Sequence, residues 1–251
     1  MILYFSGTGN SRHLAELIGR QAHERVCDMA ELMRSGTTAL CLSAEERLGW
    51  VFPTHFWGMP ALVREFVSRV SFSGYAGQYC FAAVTYGMVC GNPHGQLRSL
   101  LRDKGIGLNA SFSVRMVDVW TPLFNLTDKA RSLRITQAAI PVMERVARAV
   151  ADKRRAKRIS CLPPLIADAV HKIMYQRHRP TSPFHTTDSC IACRLCADSC
   201  PANAIEMNAG RPIWVTGECT LCLRCLHHCP RFAIQYGPHT HRHGQFVNPY
   251  V

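Results

Sequence analysis

No stretch of this 251-residue chain approaches the roughly 18 to 20 consecutive apolar residues that a bilayer-spanning helix needs, which excludes a helical membrane span. The opening Met1-Ile2-Leu3-Tyr4-Phe5 lacks the basic n-region and long apolar h-region of a secretory leader. The thirteen cysteines are therefore expected as reduced thiols in the cytoplasm rather than as disulfides. Acids are also scarce, 17 against 29 lysines and arginines, for a net charge of +12. The excess is local. Residues 148 to 180 set nine basic side chains against only Asp152 and Asp168, whereas residues 185 to 251 hold five arginines and four acids. No aromatic-rich RNA signature accompanies the basic stretch, so nucleic acid is not the expected partner. What is plentiful is apolar residue, at 47%, enough for one good core or two unequal domains.

The first part of the chain alternates strand-like and helical runs. Ile2–Phe5, Gly49–Phe52, Tyr79–Thr85 and Ser111–Met116 read as strands. Ser11–Glu24, Pro60–Arg69 and Gln96–Lys104 read as helices. Alternation of this kind predicts an α/β fold, a parallel sheet covered on both faces. From Thr127 the pattern turns helical, with Thr127 or Asp128 as cap and the basic cluster Lys153, Arg154, Arg155, Lys157 and Arg158 at its end. Pro163-Pro164 then restarts a helix that runs to Arg179. The expected division is an α/β domain over residues 1–150, a basic helical connector over 151–183, a cysteine-rich domain over 184–237 and a histidine-containing tail over 238–251. The connector is expected to pack between the domains. The tail, with His239, His241 and His243, is expected to be solvated or partly disordered.

Eight cysteines fall in two copies of C-x-x-C-x-x-C-x-x-x-C-P-x-x-A-I, Cys190–Ile205 and Cys219–Ile234, offset by 29 residues. Soft thiolates so spaced suit iron–sulfur cubes. Structural zinc also uses C-x-x-C pairs, but it explains neither the third cysteine at equal spacing nor the duplicated Cys-Pro. In the bacterial two-cluster arrangement the fourth cysteine of each run serves the other cluster. Cys190, Cys193, Cys196 and Cys229 are then expected around one 4Fe-4S cluster, and Cys219, Cys222, Cys225 and Cys200 around a second. Pro201 and Pro230 turn the chain away after each crossing ligand, and Ile205 and Ile234 cover the clusters. The segment Phe184–Tyr236 resembles a bacterial-type 2x(4Fe-4S) ferredoxin. Cys27, Cys41, Cys80, Cys90 and Cys161 lack ligand spacing and are expected as small packed residues.

Ser6-Gly7-Thr8-Gly9-Asn10-Ser11 follows the first strand and opens a helix, where backbone N–H groups and hydroxyls favour an anion. The loop lacks the Gly-Lys-Ser/Thr of a nucleotide P-loop, and Arg12 stands where the dinucleotide fingerprint requires glycine. It resembles the phosphate-binding loop of flavodoxins, Ser/Thr-x-Thr-Gly-Asn-Thr/Ser. That resemblance implies flavin mononucleotide (FMN) above the ends of the first, third and fourth strands. Contacts are then expected from Pro53, Thr54, His55, Trp57 and Gly58, and from Thr85, Tyr86 and Gly87. Trp57 and Tyr86 would stack on the ring, and Gly58 would let its peptide reorient toward the reduced ring.

Taken whole, the chain resembles the flavodoxin–ferredoxin fusion family of anaerobic bacteria and archaea. The resemblance implies a flavodoxin-like doubly wound sheet, a C-terminal α+β two-cluster ferredoxin domain, and electron transfer between FMN and two 4Fe-4S clusters. The implied partner is a ferredoxin or a ferredoxin-dependent reductase. A reductase of a small organic acceptor, walled by Arg115, Asp118 and Trp120, is the competing expectation, and a sensor or assembly factor without turnover is a third. The basic connector keeps three readings: a solvated helix face, a dock for an acidic donor, or a contact with RNA or anionic lipid.

Overall fold

The computed structural model describes residues 1–156 and 162–251. Lys157, Arg158 and Cys161, singled out above, lie outside the described residues. The central sheet contains β1 (Ile2–Tyr4), β2 (Val26–Asp28), β4 (Leu48–Pro53), β6 (Cys80–Tyr86) and β7 (Ala110–Arg115), all parallel, in the order β2-β1-β4-β6-β7. Numbered within the sheet, this is 2-1-3-4-5, the flavodoxin-like order. A short parallel pair, β3 (Ala39–Cys41) with β5 (Ser71–Ser73), lies apart.

The near-continuous apolar character of β4 and β6 follows from burial on both faces, and alternate residues serve separate cores. Trp50 and Phe52 join Phe66, Val63 and Leu97 on one face, beneath α3 (Ala61–Arg69) and α4 (Pro93–Arg102). Val51 joins Ile2, Leu14, Ile18 and Met143 on the other, beneath α1 (Asn10–Ala22) and α5 (Lys129–Ala151). The α1 residues Leu14, Ala15, Ile18 and Ala22 recur at helical spacing and form its buried stripe. Asp128 is the α5 cap, its carboxylate accepting the Arg131 N–H. α4 begins three residues earlier than the sequence pattern indicates, because Pro93 fits the first helical turn.

Beyond α5, α6 (Pro164–Val170) continues through a π-helical turn (His171–Tyr175) into α7 (Gln176–His178). The inner side of this helix is engaged by its neighbours. Asp168 accepts from Asn92 Nδ2 and Gln96 Nε2, and the Tyr175 hydroxyl accepts from Ala61 N and donates to Thr220 O. No helix among the described residues is long and apolar enough to cross a membrane.

The C-terminal part holds β8 (Phe184–Thr186), α8 (Leu195–Asp198), β9 (Ile205–Asn208), β10 (Arg211–Trp214), α9 (Arg224–His227), β11 (Ile234–Tyr236) and α10 (Thr240–His243). β9 pairs with β10 and β11 with β8, both antiparallel. The 29-residue repeat is present in the backbone itself. Left-handed residues recur as Ala192 and Leu221, Arg194 and Leu223, and Asn203 and Phe232, and α9 begins 29 residues after α8. Side chains that ordinarily avoid positive φ are held there twice over, once in each copy.

Candidate functional site

Reversal of strand order between β1 and β4 opens a crevice at the carboxyl ends of the strands, where open α/β sheets bind ligands. A cavity of about 650 Å³ lies there, within the usual range for small-molecule sites. Ser6, Gly7, Thr8, Asn10 and Ser11 line it from the first loop, Pro53, Thr54, His55 and Trp57 from the second, and Thr85, Tyr86 and Gly87 from the third. Of the fourteen residues expected at a flavin, only Gly9 and Gly58 stand behind the wall. Met116–Trp120 and, from the far side, Leu221, Cys222 and Leu223 complete the lining.

Local bonds fix the loops. Ser6 Oγ accepts the Gly9 N–H at 3.0 Å, and the Ser11 and Thr85 hydroxyls lie 2.7 Å apart. The Thr54 hydroxyl donates to Cys90 O at 2.8 Å, joining the second loop to the third. Gly9, at φ 94°, caps α1 in a left-handed conformation. His55 and Gly58 exchange both backbone hydrogen bonds, at 2.9 and 3.0 Å, around Phe56 (φ 45°) and Trp57 (φ 69°). This two-residue turn with positive φ at both central positions is the type I′ geometry. Two bulky aromatics in left-handed backbone are strained, and such strain concentrates at functional loops.

The turn changes the reading of Gly58. Its φ is not left-handed, and its glycine character is required because the His171 ring packs where a Cβ would stand. Gly87 likewise leaves room for the Asp118 carboxylate. Asp118 and Trp120 do wall the cavity, whereas Arg115 points its Nε at Gly87 O and supports the third loop from outside.

The phosphate-type loop is largely enclosed. Ser6, Thr8, Asn10 and Ser11 are buried, and the segment around Asn248 lies against Thr8, Gly9 and Asn10. Asn248 is 1% exposed, donates its backbone N–H to Thr8 O at 2.8 Å and places Nδ2 3.0 Å from Asn10 Oδ1. The Tyr250 ring stacks on His13. The tail expected to be solvated is so only in part: His239 and His241 are exposed, whereas His243 Nδ1 sits 2.7 Å from Thr121 O and the buried Phe246 and Asn248 make the rest a packed strap. Its polar sequence hid this role, since the partners of Asn248 lie at the other end of the chain.

His55 bears on what the cavity accepts. Burial lowers its pKa to about 4, so the ring is neutral at neutral pH. Its ring bonds the Thr220 backbone, while Nδ1 is buried without a protein partner. A hydroxyl-lined loop without charge and aromatics on adjoining loops fit a ligand with an anionic end and a planar ring.

Cys190, Cys193, Cys196 and Cys229 line a second, smaller cavity, closed by Ile191, Met207, Pro230 and Ile234. Cys200 lies among Cys219, Cys222 and Cys225, close enough that these thiols raise one another's pKa. Burial is the main cause, pushing Cys196 and Cys219 up to about 11 and Cys222 to about 12. Such thiols become thiolates when a cationic metal core lies beside them. Backbone N–H groups already point at the sulfurs, Ala204 at Cys200 and Ala233 at Cys229, each at 3.3 Å. Hydrogen bonds of this type tune iron–sulfur potentials. The donor chemistry and the repeated geometry both fit iron–sulfur clusters.

The two sites meet at the first loop. The Cys222 carbonyl packs on the Cα of Gly7, with no space for a Cβ. Arg224 donates to Ser6 O at 2.6 Å and lies 3.8 Å from the Asp28 carboxylate, while His228 Nε2 is 3.1 Å from Gly7 O. Among the remaining cysteines, Cys80 and Cys90 are buried as expected, Cys27 is half-buried and Cys41 is exposed.

Fold and site together define a flavodoxin-like α/β domain joined to a ferredoxin-type iron–sulfur domain, whose chemistry is electron transfer. Residues 189–234 match the 4Fe-4S dicluster domain family. Comparison with curated proteins finds no match. Similar solved structures include the Trp repressor binding protein from Bacillus subtilis, with TM-score 0.32 and 13% identity, over 58% of this chain and 96% of that one. Rubredoxin oxygen:oxidoreductase from the anaerobe Desulfovibrio gigas has TM-score 0.33 and 16% identity, over 61% and 36%. The metal-soaked Flv1 flavodiiron core from Synechocystis sp. PCC6803 has TM-score 0.34 and 19% identity, over 59% and 36%. This chain thus covers little more than a third of the last two. All three likenesses are distant, and the fold assignment rests on strand order and register.

Proposed function

We propose that this protein transfers electrons between two 4Fe-4S clusters and FMN and onward to a redox partner. In this reading residues 1–150 hold FMN, 184–237 hold the clusters, and 151–183 link them. One cluster is held by Cys190, Cys193, Cys196 and Cys229, the other by Cys219, Cys222, Cys225 and Cys200. FMN, when bound, exchanges one or two electrons and each cluster exchanges one, so the set converts between single and paired electrons.

The observation that carries the reading is the position of Cys222, which belongs to a thiol set and also lines the large cavity. The remaining residues orient and insulate. Ser6, Thr8 and Ser11 supply hydroxyls at the anion end, and Trp57 and Tyr86 offer ring faces. His55 keeps a neutral imidazole in the wall, and Arg224 holds the cluster-side helix against the loop. A ferredoxin, or a reductase that ferredoxin serves, is the proposed partner. The cavity favours one further reading. Its wall extends to Phe56, Trp120, His178 and Tyr236, which contact one another edge-on or stacked. That extension gives room for a small organic acceptor beside the flavin.

Anaerobic purification with iron, sulfide and flavin quantified tests the scheme. About eight irons and one FMN per chain are expected. Cys193→Ser and Cys222→Ser should each remove about half the iron, and only Cys222→Ser should slow flavin reduction from chemically reduced ferredoxin by about tenfold or more. Zinc without sulfide, or no flavin after reconstitution, would remove the corresponding cofactor. Reoxidation of the flavin by one particular compound, without a protein acceptor, would favour the reductase.

A further inference from the structure

The connector carries a surface that neither domain uses. The inner side of the helix from α6 to α7 is taken up by Asp168, His171 and Tyr175, as described. Its outer side leaves Leu165 (85% exposed), Ile166 (52%), Ile173 (66%) and Met174 in solvent. Leu165 and Ile166 stand in α6, and Ile173 and Met174 in the π-helical turn that continues it, so the four are exposed along one continuous helix. Lys172 and Arg177 are exposed on the same stretch, and the helix's only acid, Asp168, is bonded inward.

Aliphatic side chains gathered on a surface, rather than scattered singly, mark an interaction. Charge narrows the partner to something anionic. A second copy of this chain would oppose the same cations to each other, which argues against self-association. The face is a run of exposed aliphatic residues on one helix beside lysine and arginine, the pattern that settles in the interfacial zone of an anionic membrane. The apolar surface also runs on toward the large cavity, because Met174 and Leu123 (68% exposed) both line its edge.

We propose that this face docks the protein on the surface of an anionic lipid bilayer. Leu165, Ile166, Ile173 and Met174 enter the headgroup–acyl boundary, and Lys172 and Arg177 engage lipid phosphates. Docking places the edge of the cavity next to the lipid. The proposal stands on exposed side chains and charge, independently of the cofactors.

Co-sedimentation of the anaerobically purified full chain with extruded vesicles tests it, using phosphatidylcholine alone or in equal parts with phosphatidylglycerol. Binding is expected only to the mixed vesicles and is expected to weaken with salt. Ile166→Ser/Ile173→Ser should lower it about tenfold or more, and Lys172→Glu/Arg177→Glu several-fold. Iron, flavin and circular dichroism should match the parent in both variants, since all four residues are exposed. Failure to bind mixed vesicles, or unchanged binding by both variants, would overturn the proposal. So would a concentration-dependent dimer, or a complex with an acidic protein, that the isoleucine variant abolishes while vesicle binding persists.

Discussion

At the scale of single residues, two side chains report on the cavity and its junction with the thiol sets. Replacing Gly7 by alanine forces a Cβ into the Cys222 carbonyl, so the loop and the cluster-side segment must separate. Gly7→Ala is expected to cost about 1 to 3 kcal/mol of stability and to lower flavin content, measured by thermal melting and flavin absorbance. His55 sets a pH dependence. Its folded pKa of about 4 lies below the ordinary histidine value, so the unfolded chain binds more protons as pH falls below about 6.5. Its contribution is full above that pH and is lost as pH drops toward 4. Between about pH 7 and pH 5 it should remove about 1 to 2 kcal/mol, and His55→Gln should flatten that part of the melting profile. Burial lowers His13 and His171 as well, so some slope will remain.

At the scale of elements, α5 depends on its cap. Asp128→Ala should cost about 1 kcal/mol in urea unfolding, through the lost bond to Arg131 N. That cap was legible in the sequence, as were β1, β4, β6, β7 and the helices α1, α3 and α4, because two-sided burial writes long apolar runs; the short helix Met29–Arg34 was not. β2, β3 and β5 were not legible. Each has three residues, and the β2 sequence Val26-Cys27-Asp28 carries too little period to announce a strand. The cysteine repeat was plain because ligand spacing is local, and residues of the three cavity loops were found through the short Ser6–Ser11 motif. The packed strap was missed because the partners of Asn248 and Tyr250 are more than 200 residues distant. A second reason for Gly58 was not legible, since nothing local indicates that His171 lies against it.

At the scale of the whole molecule, the first loop and the last residues form one structure. Asn248→Ala removes a side-chain bond to Asn10 within a buried contact, and about 1 kcal/mol lost there should weaken flavin binding about five- to tenfold. Fluorescence titration of FMN into flavin-depleted protein measures this, and the iron content should stay constant. Arg224→Met, which strips the contacts to Ser6 O and Asp28, should lower both flavin occupancy and stability, because the buried Asp28 loses its ion-pair partner and keeps only the Ala30 N–H as a bonded donor.

The strap also orders events in time. Asn10 and Asn248 are 238 positions apart, so their contact closes a very long loop. Contacts of such separation form late in folding, after the segments between them have condensed. Residues 6–11 therefore acquire their final enclosure only once the thiol-bearing segment has folded, and the crevice stays less covered until then. Loosening of the far segment would run these steps backwards, uncovering the crevice before the sheet itself melts.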